Sequence, residues 1–188
     1  PGLSLQEPVV RAARERGCPV VGDIELFARE ALAPIAAITG TNGKSTVTTL
    51  VAEIANAGGR RAVAGGNLGE PALDLLGHPT PDLYVLELSS FQLETTYSLR
   101  TVASTVLNVT PDHMDRYASL EAYGAAKARI FDGCDVAVIN ADDPAVRGMP
   151  RPGQSVVSFS LESHDADYTL ERSPAPMIVR RGEPLLPL

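Results

Sequence analysis

The sequence holds no apolar run long enough to cross a membrane and no leader-like stretch at its start. It opens Pro1-Gly2-Leu3 without a methionine, a start expected of an excerpt from a longer protein. Cysteine is scarce. Cys18 and Cys134 stand apart, with neither metal-ligand spacing nor a disulfide framework, and so fit a reducing, cytoplasmic setting and packing roles. Basic residues are outnumbered 16 to 23, and the net charge of −7 leaves no broad cationic surface for nucleic acid. Internal repeats and low-complexity tracts are also missing. What is present is a chain of 188 residues, 44% hydrophobic, enough for one ordinary domain with a core and an appendage.

The most informative stretch runs from Ile35 to Thr46. An apolar run (Ile35, Ala36, Ala37, Ile38) ends at a glycine, turns, and reopens as a helix at Lys44, with Val47, Leu50, Val51, Ile54 and Ala55 spaced to share one face. Strand, glycine loop and helix N-terminus together make a phosphate site, because loop N–H groups and the positive end of the helix dipole point the same way. Gly40 and Gly43 let the backbone approach a ligand closely, Lys44 supplies a cation for terminal phosphates, and Ser45 a hydroxyl for magnesium. Ile38 sits where the longer G-x-x-x-x-G-K-[ST] loop has its first glycine, so the motif is the shorter G-T-N-G-K-S-T. An acidic protein that binds phosphates needs cations concentrated at the site, and metal ions are therefore expected.

Residues 1–33 look like the tail of another unit: a helix from Glu7 to Arg16, a brief strand at Pro19-Val20-Val21, and a second helix capped by Asp23. Past the phosphate helix, Arg61 to Ala64 reads as a small strand leading to Gly65-Gly66-Asn67-Leu68-Gly69. That loop is either a flexible turn or a place where something approaches the backbone. Pro71 to Leu76 is a short helix, and His78 a solvated loop residue. Leu83 to Leu88 is a buried strand carrying Glu87 at its end, where a carboxylate must be paired or bound to metal. P-loop enzymes use such an acid for magnesium. A structural ion pair is the alternative.

Val102 to Val109 reads as a third strand, followed by Pro111-Asp112-His113-Met114-Asp115. His113 leaves a strand's C-terminal end, as do Gly40 and Glu87, and ligands of open parallel sheets lie along that edge. On the helix from Ser119 to Phe131, Leu120, Tyr123, Lys127, Ile130 and Phe131 share one face while Arg129 points away. Lys127 on an apolar stripe has two explanations: a snorkelling side chain with its ammonium in water, or a desolvated amine with a lowered pKa that can take up carbon dioxide as a carbamate. Asp135 to Asn140 and Ser155 to Phe159 are further strands, and the region from Tyr168 to Leu188, rich in proline, reads as edge hairpins turning at Arg181-Gly182-Glu183. Together the elements predict an α/β fold of P-loop type, a mostly parallel sheet flanked by helices, with antiparallel edge strands near the C-terminus.

Several strings now agree. Gly40 to Thr46, the Gly65-Gly66-Asn67 loop, E-L-S-S-F-Q-L-E from Glu87, N-V-T-P-D-H-M-D-R-Y from Asn108, and Tyr123-Gly124-Ala125-Ala126-Lys127 resemble the Mur ligases of peptidoglycan synthesis. With Gly22 to Phe27 upstream, they are similar to the branch that adds D-glutamate. The resemblance spans nearly the whole chain. It implies that residues 1–33 end a uridine-nucleotide-binding domain and that 34–188 form most of a central ATPase domain. The family's H-N-x-x-N-A segment and its C-terminal domain have no counterpart here, so adenine and D-glutamate contacts have no match and the excerpt alone should not ligate.

The resemblance further implies ATP as cofactor with two Mg2+ ions, and UDP-N-acetylmuramoyl-L-alanine and D-glutamate as substrates joined through an acyl phosphate. By residue matching, Gly40, Thr41, Asn42, Gly43, Lys44, Ser45 and Thr46 would bind ATP, with Lys44, His113 and Lys127 catalytic. One ion would be held by Ser45 and Glu87, the other by His113 and carbamylated Lys127. Gly2, Asn67, Ser89, Gln92 and His113 would contact the muramoyl substrate. A cytoplasmic monomer is expected. Two other readings remain: a folate polyglutamate ligase, which the muramoyl-type strings disfavour, and an ATP-binding module without chemistry, which leaves Lys127 unexplained.

Overall fold

The computed structural model describes residues 3–172 and 175–187. Helices α1 (Pro8–Glu15) and α2 (Asp23–Glu30) precede strand β1 (Ile35–Thr39) and helix α3 (Lys44–Ala57). Next come β2 (Ala62–Gly66), the short helix α4 (Ala72–Leu75), β3 (Leu83–Glu87) and the one-turn helix α5 (Ser90–Leu93). β4 (Thr101–Val106) leads to α6 (Leu120–Ala128), which tightens into a 3-10 turn over Arg129–Phe131 before β5 (Cys134–Asn140). Helix α7 (Pro144–Arg147) and strands β6 (Ser155–Ser160), β7 (Tyr168–Glu171), β8 (Met177–Arg180) and β9 (Glu183–Pro187) follow.

The strands form one sheet in the order β2-β3-β1-β4-β5-β6-β7-β8-β9. Pairings from β2 through β7 are parallel, and β7–β8 and β8–β9 are antiparallel. This is the mostly parallel α/β sheet with antiparallel edge strands that the apolar runs and the proline-rich tail predict. Pro184 and Pro187 sit in β9, the last strand of the sheet, where a missing N–H breaks no central ladder. The β8–β9 turn uses positive φ at Arg181 (50°) and Gly182 (83°), which suits the right-handed twist of a hairpin. β1 lies between β3 and β4, so the crossover from β1 runs to β2 on one side while the crossover from β3 runs past β1 to β4 on the other. A crevice opens at such a switch point, outside the carboxyl ends of the strands.

The larger core covers one face of the sheet. Ile24 and Phe27 of α2, Leu75 of α4, Leu93 of α5, and Tyr123, Ile130 and Phe131 pack with Tyr84, Leu86, Val106 and Ala137. The smaller core lies under α3 and joins Ala52 to Ile38, Ala62 and Val85. No helix of the described residues is long and apolar enough to cross a membrane.

Four local expectations need correction. Residues 19–21 form no strand and pair with none of the strands of the sheet. Asp23 is the first residue of α2 and not its cap; Gly22 is the cap, and the Asp23 carboxylate accepts a hydrogen bond from Gln92 Nε2 at 2.9 Å. β4 stops at Val106, because residues 107–110 turn to bond the phosphate loop. On α3, Thr48 and Ala52 are buried and Val47, Val51 and Ala55 pack partly buried against the smaller core as expected, while Leu50 and Ile54 remain 54% and 62% exposed. α3 packs mainly against β1, β2 and β3, which leaves its opposite face uncovered.

Candidate functional site

The loop after β1 ends at Gly43, whose φ of 81° and ψ of −2° place it in the left-handed region, where glycine carries no Cβ penalty. That conformation starts α3 at Lys44. Val47 N–H donates back to the Gly43 carbonyl, and no backbone bond is made by the N–H groups of Lys44, Ser45 or Thr46 among the described residues. These groups, with the helix dipole behind them, form the anion-facing end of the site. Lys44 Nζ rests on the Thr41 carbonyl at 2.9 Å. Thr41 N–H donates to the Asn108 carbonyl at 3.0 Å and Asn42 N–H to Asn108 Oδ1 at 2.9 Å, so both are committed within the chain.

Glu87 closes β3 and is 2% exposed. Its Oε2 accepts from Ser45 Oγ and its Oε1 from Asn67 Nδ2, both at 2.7 Å. Among the described residues it has no ion-pair partner. A buried carboxylate satisfied by neutral donors alone is short of a positive charge. With Ser45 Oγ beside it, the donor set is hard oxygen, which suits Mg2+. Asn67, expected at the substrate, is tied to this acid by its side chain and by its N–H, which donates to the Glu87 carbonyl at 2.9 Å. The glycines before it have a packing role. A Cβ on Gly66 (φ 100°) would sit 2.5 Å from the Glu87 carbonyl oxygen, so what approaches the backbone here is the neighbouring strand.

Lys127 lies on α6 with 1% exposure, which rules out a snorkelling ammonium. Its Nζ donates to the Gly40 carbonyl at 2.8 Å and lies 4.4 Å from the centre of the Tyr123 ring. Burial and the nearby Lys44 charge pull its pKa down to about 7, with Asp112 pushing the other way. The amine is therefore available unprotonated near neutral pH. His113, at φ 54°, stands half exposed beside Asp112 (Nε2 to Oδ2, 3.5 Å). Its ring is 4.8 Å from Phe91 and 6.1 Å from Tyr123. Tyr123 thus touches both predicted residues, and its hydroxyl reaches Thr41 Oγ1 at 3.5 Å. In the sequence it stood on the apolar stripe and opened the Tyr123 to Lys127 string, with no role of its own.

Ser89 caps α5. Its Oγ accepts from Gln92 N–H at 3.2 Å while Gln92 Oε1 accepts from Ser89 N–H at 3.0 Å, a reciprocal capping box. Gln92 is 3% exposed, and its Nε2 donates to the Asp23 carboxylate while its Oε1 holds Ser89. Gly2 lies outside the described residues. Among the predicted residues the structure brings together the loop 40–46, Glu87, Asn67, His113 and Lys127. Asn108 and Tyr123 were missed as site residues.

Comparison with known proteins gives consistent findings. The model of the Mur ligase middle domain matches residues 38–175. The chain is 56% identical to the UDP-N-acetylmuramoylalanine–D-glutamate ligase of Nitrosococcus oceani over 188 residues, 99% of this chain and 42% of that protein. It is 58% identical to the enzyme of the same name from Methylobacillus flagellatus over 165 residues, 87% of this chain and 36% of that protein. The chain thus spans about two fifths of the length of these relatives. Among solved structures, a UDP-N-acetylmuramoyl-L-alanyl-D-glutamate–2,6-diaminopimelate ligase superposes with a TM-score of 0.70 at 26% identity, covering 93% of this chain and 40% of that one. A MurF ligase from Thermotoga maritima, solved with ADP, shares the fold with a TM-score of 0.70 at 18% identity over 88% of this chain and 44% of its own.

Proposed function

The chain belongs to the Mur ligase family, and from that premise we propose that it is the phosphate-handling part of an ATP-dependent ligase joining D-glutamate to UDP-N-acetylmuramoyl-L-alanine. On this reading residues 34–188 belong to the central ATPase domain and residues 1–33 end the uridine-nucleotide domain, in a cytoplasmic monomeric enzyme of peptidoglycan precursor synthesis. The observation that carries the proposal is the bond from the buried Lys127 amine to the Gly40 carbonyl, 2.8 Å long and 87 residues apart in sequence. A charged structural lysine loses more from that burial than its hydrogen bond returns, whereas burial turns an amine at the edge of a phosphate loop into a reactive one.

The chemistry then divides among the residues. The N–H groups of Gly43 to Thr46 and the Lys44 ammonium cradle the terminal phosphates and stabilise charge on the phosphoryl group as it passes to the substrate carboxylate. The product is an acyl phosphate, which the D-glutamate amine attacks, forming the amide and releasing phosphate. Ser45 and Glu87 would hold one Mg2+. The unprotonated Lys127 amine adds to the carbon of CO2 and loses a proton, leaving a carbamate whose oxygens, with His113, would hold a second. Bound there, the metal ions supply charge neutralisation between two anions that must meet. Asn67 and Ser89 line the substrate side, with Gln92 fixing Ser89. The test is phosphate release by the full-length protein with ATP and D-glutamate. Dependence on UDP-N-acetylmuramoyl-L-alanine supports the reading. Release with a folate monoglutamate and glutamate in its place, or no release with either acceptor, overturns it.

A further inference from the structure

The segment that follows β4 lies along the phosphate loop and holds it by a set of polar contacts. Asn108 makes the central one. Its Oδ1 accepts from Asn42 N–H at 2.9 Å, and its Nδ2 donates to the Asn42 carbonyl at 3.1 Å. The side-chain amide thus pairs with both backbone groups of one residue, as a neighbouring strand would. On either side, Thr41 N–H donates to the Asn108 carbonyl at 3.0 Å, and Thr110 N–H donates to Thr41 Oγ1 at 3.0 Å. The segment is in turn anchored from behind. Asn140 Nδ2 donates to the Leu107 carbonyl at 2.9 Å, and Val109 N–H to Asp143 Oδ2 at 2.8 Å. Beyond Thr110 the same segment runs into Asp112 and His113.

We infer that Asn108 is a positioning residue that sets the phosphate loop for nucleotide, and that it divides the loop into a held half, Thr41 and Asn42, and a ligand-facing half, Gly43 to Thr46. The inference rests on the reading of this loop as a nucleotide phosphate site. The physical ground is the direction of the N–H groups. A donor already satisfied at 2.9 Å by an amide oxygen gains little by turning to a phosphate, and the peptide that would have to turn is held at both ends. The loop therefore presents its donors from the helix start alone.

The experiment uses the full-length protein in two ways. Amide exchange of the wild type is followed by mass spectrometry or NMR with and without Mg-ADP. Gly43 to Thr46 should gain protection, while Asn42 should already be protected and change little. In parallel, Asn108→Ala and Asn108→Asp are assayed. The first loses both side-chain bonds, and the second keeps the shape but sets a carboxylate against the Asn42 carbonyl. The KM for ATP should rise about tenfold in the first, as expected for two modest hydrogen bonds, and further in the second. The KM for the UDP-linked substrate should stay within about twofold. A residue that serves folding alone would lower kcat and the melting temperature and leave both KM values in place. Equal protection of Asn42 and Lys44 on adding ADP, or unchanged ATP KM in both variants, overturns the inference. Nucleotide binding without acceptor-dependent phosphate release would instead overturn the ligase reading, and the exchange pattern would still decide the role of Asn108.

Discussion

The buried lysine makes a quantitative prediction about stability. In the unfolded chain Lys127 titrates near its ordinary value of 10.5, while burial and Lys44 bring it to about 7 in the folded protein. Between those values the unfolded state binds more protons, so this group makes stability rise with pH. Below about pH 7 the folded protein carries the full cost of a buried ammonium. Above 7 the cost fades, and it is gone near 10.5. At about 1.4 kcal/mol per tenfold change, the whole effect approaches 5 kcal/mol, of which about 2.5 kcal/mol falls between pH 6 and pH 9. Lys127→Met removes the titration while filling most of the volume. It also removes the bond to the Gly40 carbonyl and the contact with the Tyr123 ring, a pH-independent loss of about 1 to 3 kcal/mol. Urea unfolding of wild type and variant, followed by circular dichroism in CO2-free buffer at pH 6, 7, 8 and 9, separates the two. The difference in stability should shift steadily in favour of wild type by about 2.5 kcal/mol across the range. Parallel profiles would refute the lowered pKa, and with it the reason for expecting a free amine at the site.

Two further outcomes follow from packing. In the full-length enzyme, Lys127→Ala should cost activity at least about a hundredfold and recover part of it with millimolar formate or acetate, since the truncated side chain leaves room beside Gly40 for a short carboxylate; full activity without additive would exclude a catalytic carbamate. Gly66→Ala should destabilise by about 3 kcal/mol or more, combining positive φ with a 2.5 Å clash against the Glu87 carbonyl. Gly69→Ala, at φ 62° with open space around it, should lose only about 1 kcal/mol in the same thermal-melt comparison.

The sheet could be read from the sequence because parallel strands buried on both faces leave unbroken apolar runs, and those at Ile35, Leu83 and Val136 are hard to mistake. The candidate site positions at strand ends were legible for a related reason: Gly40 and Glu87 follow or close such runs, whereas His113 lies in the loop beyond the end of β4 at Val106. Periodicity failed where burial is one-sided. Leu50 and Ile54 fit the apolar period of α3 but face away from the sheet. The role of Asn108 was hidden because its partner, Asn42, is 66 residues away and the bond depends on two loops meeting. For Lys127 the period gave the face, but only the structure decides between water and a carbonyl at the end of the side chain.

The Tyr123 ring, in contact with Lys127, His113 and Thr41 at once, leaves three candidate site positions sharing one wall. Retuning any of them shifts the surface against which the other two rest. Double-mutant cycles there should come out strongly non-additive, and substitutions tolerated in this corner should arrive as matched sets and not one by one.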